Sequence, residues 1–354
     1  MPEIGYQTSH SIPLGSPPYR WPDWHRSLKR FETRDARRAA WQLVDTFVPY
    51  LLLWFLMVRS IQLGYPYILT LLLAVPAAGL LVRLFILFHD CVHSSFFASS
   101  RANTVLGYLC GTLTFTPLED WRFTHLRHHA TYANLDARGV GDITTLTVEE
   151  YLRLPWARRL KYRLYRNPLV LFGAGPLFYF LLRQRWPSRA VSKIARRSVW
   201  LTNLLIAAVA ISASWAIGLG TYLLIQVPVL WLGGAGGIWL FYVQHQFEGV
   251  YWSRKDAWDP LRAAVAGSSF YRLPAVLRWF SGSIGIHFIH HLASRIPNYN
   301  LQRCYDGIPE LHAKEPLTLR KSLASPRLKL WDEERRELVG FSALQARAPS
   351  GRSL

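Results

Sequence analysis

Apolar positions are gathered into four long runs along the chain, at about residues 41–58, 65–88, 199–217 and 222–243. Each run is long enough for a helix to cross roughly 30 Å of hydrocarbon. The polar gap within the first pair of runs, and the Gly-rich gap within the second pair, are too short for anything except a tight turn. The pattern therefore predicts an all-α integral membrane protein with four transmembrane helices in two hairpins.

Three further apolar stretches are too short to cross a membrane: residues 104–118, residues 170–182 and the run before His287. Segments of this length lie in the interface or pack as buried helices. Gly173, Gly175 and Pro176 also disfavour a straight helix in the second stretch. We therefore expect an N-terminal segment over residues 1–40, one membrane domain over residues 41–335, and a partly disordered tail over residues 336–354.

Basic residues predict the orientation of this domain. Lys and Arg number seven in residues 1–40, sixteen in residues 89–198 and sixteen in residues 244–354, whereas the two turns together contain Arg59 alone. Because basic loops stay in the cytoplasm, both termini and the long middle loop are predicted to be cytoplasmic. The net charge of +19 is spread over segments that flank the apolar runs, which favours lipid headgroups over nucleic acid as the partner.

Histidine is the residue type that carries the candidate chemistry. Nine of the twelve histidines form a pair one helical turn apart, two groups with i, i+3, i+4 spacing, and one single residue: His89 and His93; His125, His128 and His129; His287, His290 and His291; and His245. The i, i+3 and i+4 positions share one helix face, so the three rings of each such group are expected to converge on one point.

Imidazole nitrogens are common ligands for iron, zinc, copper and nickel, and nine of them are enough for two metal ions with open positions left over. The three cysteines form no spaced pairs, which excludes a disulfide framework and a cysteine-based zinc site. With no thiolate ligands and few carboxylates nearby, the chemistry alone does not select the metal. The predicted topology brings these histidines to one cytoplasmic surface, as a helical metal-binding cap on the membrane helices.

The motifs around these histidines carry a family resemblance. The segments 89–93, 125–129 and 287–291 resemble the HDxxH and HxxHH boxes of the membrane-bound fatty-acid desaturases. The segments 141–143, 244–248 and 291–299 are similar to bacterial members of the acyl-lipid omega-6 (Δ12-type) branch, and the similarity extends over roughly residues 40–335. Val92 departs from the branch, which usually has glycine there.

The resemblance implies that the eight box histidines bind two iron ions, with His245 as an additional ligand supplied after the last span. It also implies an enzyme that uses O₂ to insert a cis double bond into an acyl chain. Asp90, Asp142 and Glu248 are the carboxylates nearest in sequence and are candidates to orient the ligating rings. Trp121, Phe123 and Phe288 stand beside box histidines and either line a substrate channel or pack in the core.

These expectations imply an electron donor and an acyl carrier as partners. No segment resembles a fused electron-transfer domain and no dinucleotide fingerprint is present, so a separate donor such as a ferredoxin or a cytochrome b5 type protein is expected. The acyl group is carried on a membrane lipid, or on CoA or acyl carrier protein. The resemblance to bacterial enzymes places the protein in the inner membrane.

Two alternative functions remain at this point. One is a histidine-box hydroxylase of alkyl or carotenoid substrates, which oxidises similar C–H bonds. The other is a membrane metal transporter, which needs ligands near the middle of the bilayer. The predicted spans contain no histidine, and their only charged residues are Asp45 and Arg83.

Overall fold

The computed structural model describes residues 21–188 and 191–347. Helices dominate this part of the chain. In chain order they are α1 (Ala36–Gln62), α2 (Tyr67–Val92), α3 (Ser100–Leu113), α4 (Leu118–Thr131), α5 (Val148–Arg153), α6 (Trp156–Tyr165), α7 (Gly175–Leu177), α8 (Lys193–Ile217), α9 (Leu219–His245), α10 (Pro260–Gly267), α11 (Ala275–Phe280), α12 (His287–Leu292), α13 (Asn298–Gly307) and α14 (Leu319–Ser322).

Four of these helices, α1, α2, α8 and α9, are long and apolar enough to cross a membrane, which confirms the predicted number of spans. Each is longer than its apolar run. The α1 helix begins at Ala36 rather than near residue 41, because the Asp35 side chain accepts hydrogen bonds from the amides of Arg37 and Arg38, at 2.9 and 3.2 Å.

The second pair of spans is joined more tightly than the sequence predicts. The expected four-residue turn is a single residue, Gly218, whose φ of 83° lies in the left-handed region that glycine adopts without strain. Residues 219–221 therefore form the first turn of α9 instead of a connector.

The α2 helix lies at the centre of the membrane domain, and α8 lies at its periphery. The α2 helix packs against α1, α3 and α9, and more than half of its apolar window is buried. The α8 helix has almost none of its window buried, and Trp215 is 90% exposed. In a bilayer this surface faces lipid tails, so its exposure has no hydrophobic cost.

The two charged residues within the apolar runs form a pair. One guanidinium nitrogen of Arg83 lies 3.2 Å from the carboxylate of Asp45, and Arg83 Nε donates to the hydroxyl of Thr46 at 2.9 Å. Arg83 also donates to the carbonyl of Trp279 and lies over its ring. The pair ties α1 and α2 to the segment that contains α11, and each charge is compensated as a low-dielectric site requires.

The apolar stretch at residues 170–182 is not a straight helix. Two π-helical turns, Leu169–Ala174 and Phe178–Leu182, flank the short α7. Short 3-10 helices occur elsewhere, the longest of them at Asp23–Phe31 and Phe341–Arg347.

The part of the chain outside the spans, which was predicted to be a helical cap, contains short strands. They are β1 (Leu146–Thr147), β2 (Phe270–Arg272), β3 (Pro316–Thr318), β4 (Leu330–Asp332) and β5 (Glu337–Val339). The β4 strand pairs in parallel with β1 and antiparallel with β5, while β2 pairs in parallel with β3.

The described part of the predicted tail, residues 336–347, contains β5. Leu338 and Val339 are buried, because β5 covers an edge of β4, and a 3-10 helix follows to Arg347. Residues 348–354 lie outside the described part of the chain.

Candidate metal centre

Most of the nine histidines lie at or near the ends of helices that meet at one site. His89 lies in the last turn of α2, His93 follows that helix, and His245 is the last residue of α9. The α4 helix begins after Pro117, with Glu119 and Asp120 in its first turn, and has its three histidines in the last two turns. The third box forms the short helix α12.

The nine rings divide into two groups. The five-histidine group has its ligand nitrogens within 4.8 Å of one another and consists of His89, His93, His125, His129 and His290. The four-histidine group consists of His128, His245 and His291, which meet the same criterion, and His287, whose Nε2 lies 3.1 Å from Nε2 of both His245 and His291. The expectation that each three-histidine box converges on one point is therefore wrong.

The spacing of the nitrogens fits metal coordination. In the five-histidine group, Nε2 of His125 lies 3.0 Å from that of His93 and 3.1 Å from that of His129. With a metal–nitrogen bond of roughly 2.1 Å, two ligands at a right angle are roughly 3.0 Å apart. The buried Nε2 of His89 has no hydrogen-bond partner among residues 21–188 and 191–347, as expected for a nitrogen that binds a metal.

Burial also favours the protonation state that binds metal. Loss of solvent is the main cause that lowers the pKa of His125, His129 and His290 well below the ordinary value, and the neighbouring imidazoles lower it further. The same two causes act on His291. These rings are therefore neutral at physiological pH, and a neutral imidazole can donate its lone pair to a cation.

Asp142 is the predicted carboxylate that the structure brings to a ring. His128 Nδ1 donates a hydrogen bond to its carboxylate, which leaves Nε2 directed at His245, 3.1 Å away. The preceding Gly141 has a φ of 74°, and a Cβ there would lie 2.7 Å from the carbonyl oxygen of Thr124. The loop can approach α4 this closely only because residue 141 lacks a side chain.

Asp90 and Glu248 have other surroundings. The Asp90 carboxylate lies 3.5 Å from Nδ1 of His89 but accepts shorter hydrogen bonds from the backbone and side-chain nitrogens of Asn298, at 2.7 and 2.8 Å. It therefore fixes α13 against α2 more than it orients a ring. Glu248 is exposed in the turn that follows α9.

Comparison with known proteins agrees with this geometry. A family model described as Fatty acid desaturase matches residues 65–322, which include all nine histidines. A protein of Bacillus subtilis (strain 168) named fatty acid desaturase is 42% identical over 320 residues, which are 90% of each chain. The chain belongs to the fatty acid desaturase family. This membership confirms the predicted function class over the hydroxylase and the metal transporter.

More distant relatives of this desaturase cover less of the chain. A chloroplastic omega-6 fatty acid desaturase of Arabidopsis thaliana is 28% identical over 242 residues, 64% of this chain and 50% of the relative. An sn-1 acyl-lipid omega-3 desaturase (ferredoxin) of Synechocystis sp. is 28% identical over 245 residues, which are 64% of this chain and 63% of the relative.

Aromatic side chains surround the two histidine groups of this desaturase. Trp121 stacks on His125 with ring centroids 4.1 Å apart and also packs against Phe88. Phe288 is buried in the core, whereas Phe123 is partly exposed on α4. Trp121 and Phe288 therefore pack against buried residues, and the substrate-channel role stays a prediction.

Sequence reasoning missed Tyr132 and Asn298. The buried ring of Tyr132 lies 4.3 Å from that of His245, and its hydroxyl donates to the carbonyl of Gly267. Its position four residues after His128 was a usable signal, because i and i+4 share a helix face. Asn298 gave no such signal, since its partners Asp90 and Gln42 are distant in sequence.

Proposed function

We propose that this protein is an acyl-lipid desaturase that uses O₂, two iron ions and a separate electron donor to insert a cis double bond into an acyl chain. The observation that carries the proposal is the pair of adjacent histidine groups at the ends of α2 and α9. Nine imidazoles with few carboxylates form a donor set that suits iron, zinc, copper or nickel, and the membership of the desaturase family is the reason for proposing iron.

The residues of the site have three roles: metal binding, orientation of a ligand ring and exclusion of water. The five-histidine and four-histidine groups would each bind one iron ion, which supplies the O₂-dependent oxidation when bound. Asp142 holds the proton of His128 at Nδ1, so that Nε2 stays free for the metal. Trp121 and Tyr132 cover the rings with apolar surface and exclude water from them.

The substrate and donor are proposed from the relatives and the charge. The Synechocystis relative is named as an acyl-lipid desaturase with ferredoxin, and we assign the same classes of substrate and donor to this chain. A net charge of +19 attracts an acidic donor protein to the cytoplasmic face of a bacterial inner membrane. Turnover with purified donor is therefore expected to slow as the salt concentration rises.

The test is expression in a host that lacks polyunsaturated lipids, followed by mapping of the double bonds in its fatty acids. The wild-type chain is expected to add a cis double bond, and His128→Ala is expected to add none. His312→Ala is the matched control, because His312 belongs to neither group and is exposed. An unchanged lipid profile with donor and O₂ present contradicts the proposal, and a hydroxylated chain without a new double bond supports the hydroxylase instead.

A further inference from the structure

A polar cavity lies beside the third histidine box. Its volume is about 280 Å³, and its lining includes Arg272, Arg278, Ser281, Ser283, Gln302 and Tyr305. We call it the arginine pocket. Ile286 lines the same cavity and directly precedes His287, so the pocket shares a wall with the segment that carries the third box.

The two guanidinium groups of the pocket carry uncompensated charge. Across residues 21–188 and 191–347, neither Arg272 nor Arg278 forms an ion pair; Arg278 donates only to the amide oxygen of Gln302, at 3.1 Å. The carboxylate of Asp306 is turned to Gln302, whose Nε2 donates to it at 2.8 Å. The pocket is therefore positively charged and open to an anion.

The pocket is built by a specific backbone. Tyr271 N donates to the carbonyl of Gly285 at 2.7 Å, and a Cβ at residue 285 would lie 2.4 Å from the carbonyl oxygen of Tyr271. Ser283 has a φ of 61°, a left-handed conformation that is uncommon for a residue with a side chain. These features hold the serine segment fixed beside the two arginines.

Apolar side chains place the pocket at the surface of the bilayer. In α11, Val276 is 66% exposed and Leu277 and Trp279 are also exposed. Leu323, which follows α14, is 70% exposed, and α14 is tied to the pocket wall by the contact of Ser322 Oγ with the Tyr271 hydroxyl, at 3.0 Å. Exposed apolar residues beside cationic ones are typical of segments that lie in the lipid interface.

The depth of α11 agrees with this placement. Trp279 contacts Arg83 of α2, and Phe280 packs against Gly79 of the same helix. His89 lies six residues beyond Arg83, a rise of roughly 9 Å along the helix axis. The α11 wall of the pocket is thus on the membrane side of the histidine groups, as expected for a site where a lipid headgroup meets its acyl chains.

We propose that the arginine pocket binds the phosphodiester of a membrane glycerophospholipid, and that it holds the substrate lipid of the enzyme by its headgroup. The planar guanidinium groups of Arg272 and Arg278 match two phosphate oxygens, and Ser283 and Tyr305 supply hydroxyl donors. This inference rests on the proposed acyl-lipid activity for its role, but the binding itself does not need iron, O₂ or an electron donor.

The first test measures binding with the full chain in detergent micelles by native mass spectrometry. The probes are dioleoyl phosphatidylglycerol and dioleoyl monogalactosyldiacylglycerol, which carry the same acyl chains with and without phosphate. Arg272→Gln/Arg278→Gln is expected to weaken phosphatidylglycerol binding about tenfold, because both guanidinium contacts to the phosphate are lost, and to leave galactolipid binding unchanged. Arg196→Gln/Arg197→Gln, which removes two exposed arginines at the start of α8, is the matched control and is expected to bind both lipids like the wild type.

Each other outcome of this test overturns the proposal. Equal loss of both lipids shows a structural effect, and unchanged phosphatidylglycerol binding shows that the pocket is not the lipid site. Displacement by inorganic phosphate at the concentration of the lipid identifies a site for free phosphate. Because this measurement is independent of turnover, a chain that binds phosphatidylglycerol through the pocket but forms no double bond contradicts the proposed function and leaves the pocket assignment standing.

The second test uses the desaturation reaction. The double variant is expected to raise KM for phosphatidylglycerol about tenfold with kcat unchanged, because headgroup binding is made equally in the ground state and the transition state. Its turnover of the galactolipid is expected to equal that of the wild type. A fall in kcat on both lipids contradicts a role confined to the headgroup.

Discussion

At the scale of single residues, His128 is held at both ring nitrogens. Its Nδ1 donates to Asp142, and its Nε2 faces His245 at 3.1 Å. We expect Asp142→Asn to lower iron affinity roughly ten- to hundredfold, because a neutral amide neither raises the basicity of the ring nor holds its tautomer. Iron content of the purified protein measures this loss. Glu248→Gln is the control, since that carboxylate is exposed, and an equal loss in both variants contradicts an orienting role for Asp142.

The nine histidines could be found from the sequence, but their division between two groups was missed. Helical geometry explains the division. At 3.6 residues per turn, His128 points roughly 60° away from His125 and roughly 100° away from His129. This offset has the same effect in both boxes. His128 lies in the four-histidine group, whereas His125 and His129 lie in the five-histidine group. His290 lies in the five-histidine group, whereas His287 and His291 lie in the four-histidine group. The three-histidine spacing therefore lets each box bridge the two groups, which the expectation of one convergence point per box overlooked.

Lys329 gives a prediction that depends on pH. It is buried, its ammonium donates to the carbonyl of Arg166, and loss of solvent is the main cause that lowers its pKa to about 8, with the Arg166 charge adding to it. The folded chain thus releases this proton near pH 8, whereas the unfolded chain keeps it up to about pH 10.5. Since the unfolded state binds more protons between these values, the free energy of unfolding is expected to rise with pH in that window.

Thermal unfolding in detergent measures this effect. The wild-type Tm is expected to rise by about 2 °C or more between pH 8 and pH 9.5, on the scale of roughly 1 kcal/mol. Lys314, partly buried and with its pKa lowered to about 8 by loss of solvent, contributes in the same direction. The rise in Tm is expected to be smaller in Lys329→Met and absent in Lys314→Met/Lys329→Met. An undiminished rise in the double variant would show that other titrating groups cause it.

At the scale of helices, one glycine sets how closely α9 approaches α2. A Cβ on Gly233 would lie 2.9 Å from a methyl carbon of Leu81 and 3.2 Å from the carbonyl oxygen of Ala78, whereas a Cβ on Gly237 would meet nothing within 4 Å. We expect Gly233→Ala to destabilise the protein by about 1 to 3 kcal/mol, because α9 must move away from α2. The move also separates His245 from His89, so iron content is expected to fall.

Gly237→Ala is the matched control for this change. Both substitutions replace a glycine in the same helix and gain the same helix propensity, so the difference between their Tm values isolates the contact with α2. Equal Tm values for the two variants contradict the close packing of α9 on α2.

Helices and strands differed in how well they could be predicted. The four spans were found because 18 or more apolar residues in a run leave few alternatives. The pairs β1 with β4 and β2 with β3 were not found, because strands of two or three residues carry no period and their partners are distant in sequence. The helix α12 was found through its histidine spacing rather than through its helix propensity.

At the scale of the whole molecule, contacts between residues far apart in sequence gather one end of the spans around the histidine groups. Gln42 of α1 donates to Asn298 at 2.7 Å, and Asn298 donates to Asp90 of α2. Near the end of α9, Gln244 donates to the carbonyl of Ile284 at 3.0 Å, just before the third box. The orientation of the spans in the membrane therefore decides on which side the whole site lies.

Thiol labelling in vesicles tests that orientation. Cys91, Cys110 and Cys304 are all buried, and burial raises the pKa of the Cys304 thiol to about 12, so the wild-type chain is expected to react with no membrane-impermeant maleimide. Lys255→Cys adds an exposed thiol on the side of the histidine groups, and Leu63→Cys adds one at the turn between α1 and α2. In inside-out vesicles we expect Lys255→Cys to be labelled and Leu63→Cys to be protected.

Spheroplasts, which expose the opposite face, are expected to give the reverse pattern, and this pairing controls for the reactivity of each thiol. The physical reason is the basic charge: residues 89–198 and 244–354 each contain sixteen Lys and Arg, and moving them across the bilayer against the membrane potential is costly. Labelling of Leu63→Cys alone in inside-out vesicles would place the histidine groups outside the cytoplasm. Cytoplasmic ferredoxin could then not reach them, and the proposed electron donor would have to be replaced by one on the other side of the membrane.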